Sequence, residues 1–195
     1  MAIKSTIYKA QLSVADMDRG IYGDHALTLA LHPSETEERL MMRVLAYALL
    51  APADDHRGRL EFARGLSDTD EPDLWQHALD GTLVQWIEVG QPDERRMQRA
   101  ANRAESAVFF AYAASVPIWW AGIADRLARC DRLAVWQVQA VQSAALAALA
   151  ARSMQLQVTV QDGLVWVSEG SRSVELTPRT LKVARVANPK SGGRA

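Results

Sequence analysis

The middle of the chain constrains the fold most. Three short apolar runs at 82–90 (TLVQWIEVG), 107–113 (AVFFAYA) and 133–138 (LAVWQV) alternate with two stretches that read as helices, PDERRMQRAANRAES and PIWWAGIADRLARC. Parallel strands need a long crossover between them, and a helix is the usual one. This order therefore implies a sheet with helices packed on it. Both flanks add antiparallel pieces. Residues 3–15 alternate, with Ile3, Ile7, Leu12 and Val14 apolar and Lys4, Thr6, Lys9 and Gln11 polar between them. Residues 25–32 (HALTLALH) alternate again after a glycine-marked turn. Such runs predict an N-terminal hairpin. Near the other end, LQVTVQ and LVWVSEG flank Asp162-Gly163, a pair that tolerates positive φ in a tight turn. The expected architecture is mixed α/β (α+β): a central mixed β-sheet flanked by helices, with N- and C-terminal β-hairpins.

Between these pieces, residues 35–50 carry a helical apolar stripe of Leu40, Met41, Val44, Leu45, Ala48 and Leu49. Ser34 or Thr36 is the cap, and Glu35, Glu37 and Glu38 suit the positive end of the helix dipole. Residues 60–66 read as a short strand. EPDLWQHALDG reads as a turn or short helix. Pro92 is placed in the first turn of the next helix, where its missing N–H costs least. Residues 141–153 read as an Ala-rich helix, and SVEL and TLKVARV as edge strands. Residues 1–186 are expected to form a single domain, with 187–195 a flexible tail.

Composition narrows the function classes. With 22 basic and 23 acidic residues, the net charge is −1. This argues against a protein that coats polyanions with its whole surface, while leaving room for a local basic patch. The one cysteine, Cys130, excludes an internal disulfide and fits a reducing compartment. No window has the roughly 18–20 apolar residues of a membrane-spanning helix, and the alternating N-terminus does not read as a signal peptide. A cytoplasmic protein is expected.

Three acids stand out: Glu38 in the first helix, Asp73 after Pro72, and Glu88 inside WIEV. Glu88 alternates with Val84 and Trp86, the more apolar face of its strand. A carboxylate there is costly unless it reaches solvent, a hydrogen-bond donor or a cation. Two or three such oxygens suffice for magnesium, which keeps several waters. The other reading is a helix-start Glu38, a turn Asp73 and an outward Glu88. After the strand, Arg96, Arg99 and Arg103 recur at i, i+3, i+7 with Arg95 beside them, opposite a face of Met97, Ala100, Ala101 and Ala104. Arginine forks suit phosphate or carboxylate; alternatively these form a solvated face paired with Asp93 and Glu94. His25, His32, His56 and His77 are dispersed and read as structural. Of the adjacent Trp119 and Trp120, one is expected at a contact surface, because both cannot face inward from a helix. The C-terminal segment from Ser171 is basic.

The opening STIYKAQLSVADMDRGIYGDHALTLALHPSETEERLMMRVLAYAL, together with LEFARGLSDTDEPDLW and WIEVGQPDERRMQRAANRAE, resembles the YaeQ family of bacterial proteins, from about residue 2 to 180. That resemblance implies a fold similar to the PD-(D/E)XK, restriction-endonuclease-like superfamily. Its motif is a Pro-Asp, then an acidic residue, any residue and lysine on the next strand, with an upstream helical glutamate. Pro72-Asp73, Glu88 and Glu38 match these positions, whereas the lysine position is Gly90. Gln91, Arg95 or Arg96 would then meet the electrostatic need the lysine serves. The implied site has Glu38, Asp73, Glu88 and Gln91 as catalytic residues, Asp73 and Glu88 holding Mg2+ or Mn2+, and Arg95, Arg96, Arg99 and Arg103 facing phosphate. Two functions follow: a magnesium-dependent nuclease or phosphodiesterase acting on nucleic acid, or a catalytically inactive nuclease-fold module that binds nucleic acid or a protein partner.

Overall fold

A computed structural model describes residues 5–64, 68 and 70–185. The expected tail at 187–195, and the ends of the runs at 3–4 and 65–66, lie outside the described residues. Two strands, β1 (Thr6–Asp16) and β2 (Ile21–Leu31), form the expected antiparallel hairpin, with Leu12 opposite His25. Helix α1 (Glu37–Leu50) follows, capped by Thr36, whose side chain accepts from the Arg39 N–H. Its whole apolar stripe is buried.

Strand β3 (Leu60–Phe62) pairs antiparallel with β4 (Leu74–His77). EPDLWQHALDG, read above as a turn or short helix, thus supplies a strand. It is only four residues long, too short for its alternation to register, and its two sheet partners set its conformation. Next come β5 (Leu83–Val89), α2 (Glu94–Arg103), β6 (Ser106–Ala111), α3 (Val116–Leu127) and β7 (Leu133–Gln137), with β5–β6 and β6–β7 parallel as the crossover pattern requires. Asp93, not Pro92, begins α2: its carboxylate accepts from the Arg96 N–H, and Pro92 stands one residue outside the cap. Helix α4 (Ala140–Ala147) is shorter than the 141–153 predicted: a turn ends it at 148–149, and Ser153 already belongs to β8 (Ser153–Gln161). The Asp162-Gly163 turn, with φ of 54° and 74°, joins β8 to β9 (Leu164–Glu169), and β10 (Arg172–Leu176) and β11 (Arg179–Lys182) close the described fold as edge strands.

The fold is mixed α+β, with two mixed sheets rather than one. The terminal hairpins do not stand apart: β1 runs parallel to β8, giving a five-stranded sheet ordered β10-β9-β8-β1-β2. The second sheet is β11-β7-β6-β5-β4-β3. Helix α1 lies between them, burying Leu40, Met41, Leu45 and Leu49 against Leu12, Leu29, Ile87 and Phe110 in one continuous core. A second apolar cluster, under α2 and α3, gathers Trp86, Met97, Ala100, Phe109 and Leu127. Met97, Ala100 and Ala101 form the buried face of α2, as expected. Among the described residues no helix is long and apolar enough to cross a membrane.

Candidate functional site

Asp73 and Glu88 meet where β4 begins and β5 ends. The Asp73 N–H donates to the Ile87 carbonyl at 3.1 Å, and the Val89 N–H donates to Asp73 Oδ2 at 2.8 Å. The antiparallel register thus sets the two acids side by side. Both are buried, Asp73 being 2% and Glu88 6% exposed.

Neither carboxylate is open. Arg39, projecting from α1, brings Nη2 to 2.7 and 2.9 Å from the two oxygens of Asp73. Glu88 answers the question its sequence position raises: it does lie on the Trp86 face, where the Trp86 indole N–H donates to Oε1 and Arg96 Nε donates to Oε2 at 2.7 Å. Burial raises the Glu88 pKa above its ordinary value; Arg96 and Trp86 pull it down, and the charge of Asp73 adds to the rise. Arg96 also donates to the Glu71 carbonyl at 2.9 Å and lies over the Trp86 ring.

The ladder continues along α1. Arg39 Nη1 donates to Glu35 at 3.0 Å, and Arg43, 4% exposed, pairs with the same glutamate. Glu35 lies outside the helix and accepts the His32 N–H. Burial lowers the Arg39 pKa, but Asp73 and Glu35 outweigh it, so the net shift is upward. Glu38 turns the other way and accepts from the Ser143 hydroxyl of α4 at 2.6 Å. Tyr112 stands near this group: burial first, then the charges of Glu38, Asp73 and Glu35, push its hydroxyl up to about 12 against the opposing pull of Arg39.

Gly90 has φ of +118°, a conformation that side chains rarely adopt. Backbone geometry therefore disfavours lysine at that position. Gln91 reaches from the following residue to the Tyr112 carbonyl at 3.0 Å and the Ser115 hydroxyl at 2.9 Å, not to either acid. Of the four arginines, only Arg96 turns inward to the acid pair. Arg95 is exposed beside Trp119, Ile123 and Arg126. Arg99 pairs with Asp70 at 3.1 Å, and Arg103 covers the Trp86 ring at 5.1 Å. Trp119 is tied down through its indole N–H to the Pro92 carbonyl.

Structure thus brings Asp73 and Glu88 together with Arg96, and sends Glu38 and Gln91 into neighbouring hydrogen bonds. Arg39, Glu35 and Tyr112 were missed. The four-residue spacing of Glu35, Arg39 and Arg43 was a legible signal, two bases on one helical face with an acid just before the helix. Tyr112 had none beyond its place at a strand end. A hard divalent cation needs carboxylate oxygens free to coordinate it. In this arrangement all four oxygens of the pair already accept hydrogen bonds, and among the described residues no group of three or more His, Cys, Asp or Glu could hold a metal ion. The residues as arranged do not fit the ion.

Comparison with known proteins decides the family. The model of the YaeQ protein family matches residues 1–178. The chain belongs to the YaeQ family. The YaeQ protein of Salmonella typhi is 45% identical over 177 residues, covering 90% of this chain and 95% of that protein. The YaeQ protein of Escherichia coli strain K12 is 43% identical over the same length. Among solved structures, the YaeQ crystal structure from Xanthomonas axonopodis pv. citri is similar with a TM-score of 0.87 and 45% identity, covering 92% of this chain and 99% of that one. The YaeQ structure from Pseudomonas syringae gives 0.83 and 35%, covering 93% and 98%.

Proposed function

We propose that this YaeQ chain is a nuclease-like module without hydrolytic activity, in which arginines neutralise the acid pair, and that it binds nucleic-acid phosphates through the exposed face of α2. One observation carries the reading: Arg39 and Arg96 satisfy Asp73 and Glu88 within hydrogen-bond distance, so the acids need no ion to be stable inside the fold. Beside them, Arg95, Arg99 and Arg103 are exposed on one helix that is anchored by its buried Met97–Ala100–Ala101 face.

The test is binding of labelled single-stranded and duplex DNA and RNA across a salt series. Each phosphate neutralised on a duplex adds about −0.9 to the log–log slope, so three arginines give a slope of about −3. Arg95→Ala with Arg103→Ala is expected to flatten it by about two. A salt-independent signal, or an unchanged slope in the double variant, overturns the proposal. The adjacency of Asp73 and Glu88 favours one competing reading, a Mg2+- or Mn2+-dependent hydrolase in which cation and substrate displace the arginines. Cleavage of DNA or RNA by the purified protein with either metal, lost in Asp73→Asn, would establish that reading instead.

A further inference from the structure

Strands β2 and β3 are joined through α1, and each is the last strand of its sheet: β2 ends the five-stranded one and β3 the six-stranded one. Their residues advance together along the hollows between them. Asp24 and Ala26 face Leu60 across one hollow of about 400 Å³, and Thr28 and Ala30 face Phe62 across an adjoining hollow of about 580 Å³. Glu61 borders both hollows. This is a crossover whose two strands are not hydrogen-bonded to each other.

Backbone direction shows what the opening presents. The Lys9 N–H donates to the Arg152 carbonyl, on the β8 side of β1, at 2.9 Å. Lys9 therefore turns away from β2, and Thr28, its register partner, points its N–H and C=O outward. By alternation Ala26 and Ala30 do the same; the Ala30 carbonyl accepts from Arg43 at 3.0 Å. On the other side, the Ala63 N–H donates to the Asp73 carbonyl on the β4 side. Leu60 and Phe62 accordingly turn their backbone groups away from β4. Apart from the Ala30 carbonyl, which Arg43 occupies, these strand edges have no backbone partner among the described residues, and they face one opening, the arrangement that recruits an added strand. Its floor is the line Arg39, Arg43 and Tyr47 on α1, with the Phe62 ring stacked on Tyr47 at 5.4 Å.

Charge selects the occupant. Arg39 and Arg43 are paired with Glu35 and Asp73, Arg59 with Asp55, and Arg64 with Glu71. Asp24 and Glu61 remain as acids without an ion pair among the described residues. We propose that this opening binds an extended basic peptide as an additional strand between β2 and β3. The peptide's main chain pairs with Thr28 and its neighbours on one side and with Leu60 and Phe62 on the other, and its lysines or arginines meet Asp24 and Glu61. This site is separate from the exposed face of α2, and either proposal can fail alone.

The test uses the full chain and a fluorescein-labelled decapeptide of alternating lysine and threonine. Controls are its glutamate–threonine counterpart and a copy N-methylated at alternate residues. The lysine peptide is expected to raise anisotropy and to slow amide exchange at Thr28 and Phe62 by about tenfold or more. Both controls are expected to bind at least about tenfold more weakly, having lost charge complementarity or main-chain donors. Thr28→Pro removes an outward N–H, which an edge position tolerates, and should weaken binding with little change in melting temperature. Glu61→Lys, at an exposed site, should weaken it without affecting the fold. Absence of binding, equal binding of the N-methylated copy, or binding without protection at Thr28 and Phe62 overturns the proposal. So does protection that grows with protein concentration alone, which would make a second copy's edge the occupant.

Discussion

Replacing Arg39 with methionine tests how the buried acids are held. Arg39 is 18% exposed on its side chain, against 2% for both Asp73 and Glu35, and it brings one nitrogen to each of two carboxylates at 2.7–3.0 Å. Removing one member of a buried pair leaves an uncompensated charge and costs about 3–5 kcal/mol. Arg43 still serves Glu35, and the Val89 N–H still serves Asp73, so the lower end applies, about 3 kcal/mol. For a chain of this size each kcal/mol moves the melting temperature by about 2–4 °C, giving a drop of about 6–12 °C. Calorimetry on Arg39→Met, Asp73→Asn and the double variant forms a thermodynamic cycle. The double variant is expected to regain a large part of the loss, because the stranded carboxylate has gone. If Arg39→Met melts with the parent protein, the ion pair does not stabilise the acids and the reasoning fails. Manganese adds a second arm: a ligand that binds the folded state raises stability in proportion to RT ln(1 + [L]/Kd). It should raise the melting temperature of Arg39→Met, whose Asp73 is freed, and leave the parent protein unmoved.

Three further outcomes are expected. Because burial raises the folded-state pKa of Glu88 above the ordinary 4.5, its contribution to stability is fully present below that value and is lost as pH rises through the folded pKa. Urea titrations between acid and neutral pH should show Glu88→Gln gaining on the parent protein as pH rises; a constant offset contradicts the assignment. Gly90→Lys restores the residue implied by the nuclease motif, but at φ of +118° it is expected to cost about 1–3 kcal/mol in thermal or chemical melts, although nothing stands within 4 Å of its Cβ. Gly58→Ala would set a Cβ 1.8 Å from the His77 carbonyl oxygen at φ of +81°, so a larger loss of stability than at Gly90 is expected in the same assay.

Much of the fold was legible because periodicity reports burial. The alternation of 3–15 and 25–32, the stripe on α1 and the Asp-Gly turn each depend on neighbours close in sequence, and each element forms, although β2 begins at Ile21, inside the stretch expected to turn. What escaped depends on distant partners. β4 is set by β3 and β5, and the merging of two terminal hairpins into one sheet rests on pairing between Lys9–Asp16 and Ser153–Val160. The site shows the same division. The alternation of Trp86 with Glu88 correctly placed the acid on the apolar face, but Arg96 was assigned to phosphate or to the lysine's electrostatic role, not to an ion pair with that acid. Helical spacing gives a direction around the α2 axis and not the carboxylate across from it. Asp73 was found through Pro72-Asp73, whereas Arg39, 34 residues earlier, had no local feature to connect it.

The parallel seam between β1 and β8 bears on how the chain is made. Strand β1 is synthesised well before residues near 160 and must wait for them before its second neighbour exists. Until then the nascent N-terminal hairpin carries an unsheltered inner border in addition to its outer one. Closing so distant a pairing is slow and favours association with other chains. Synthesis that stalls after α4 would therefore leave a species prone to aggregate, and β8 serves β1 as an intramolecular shield.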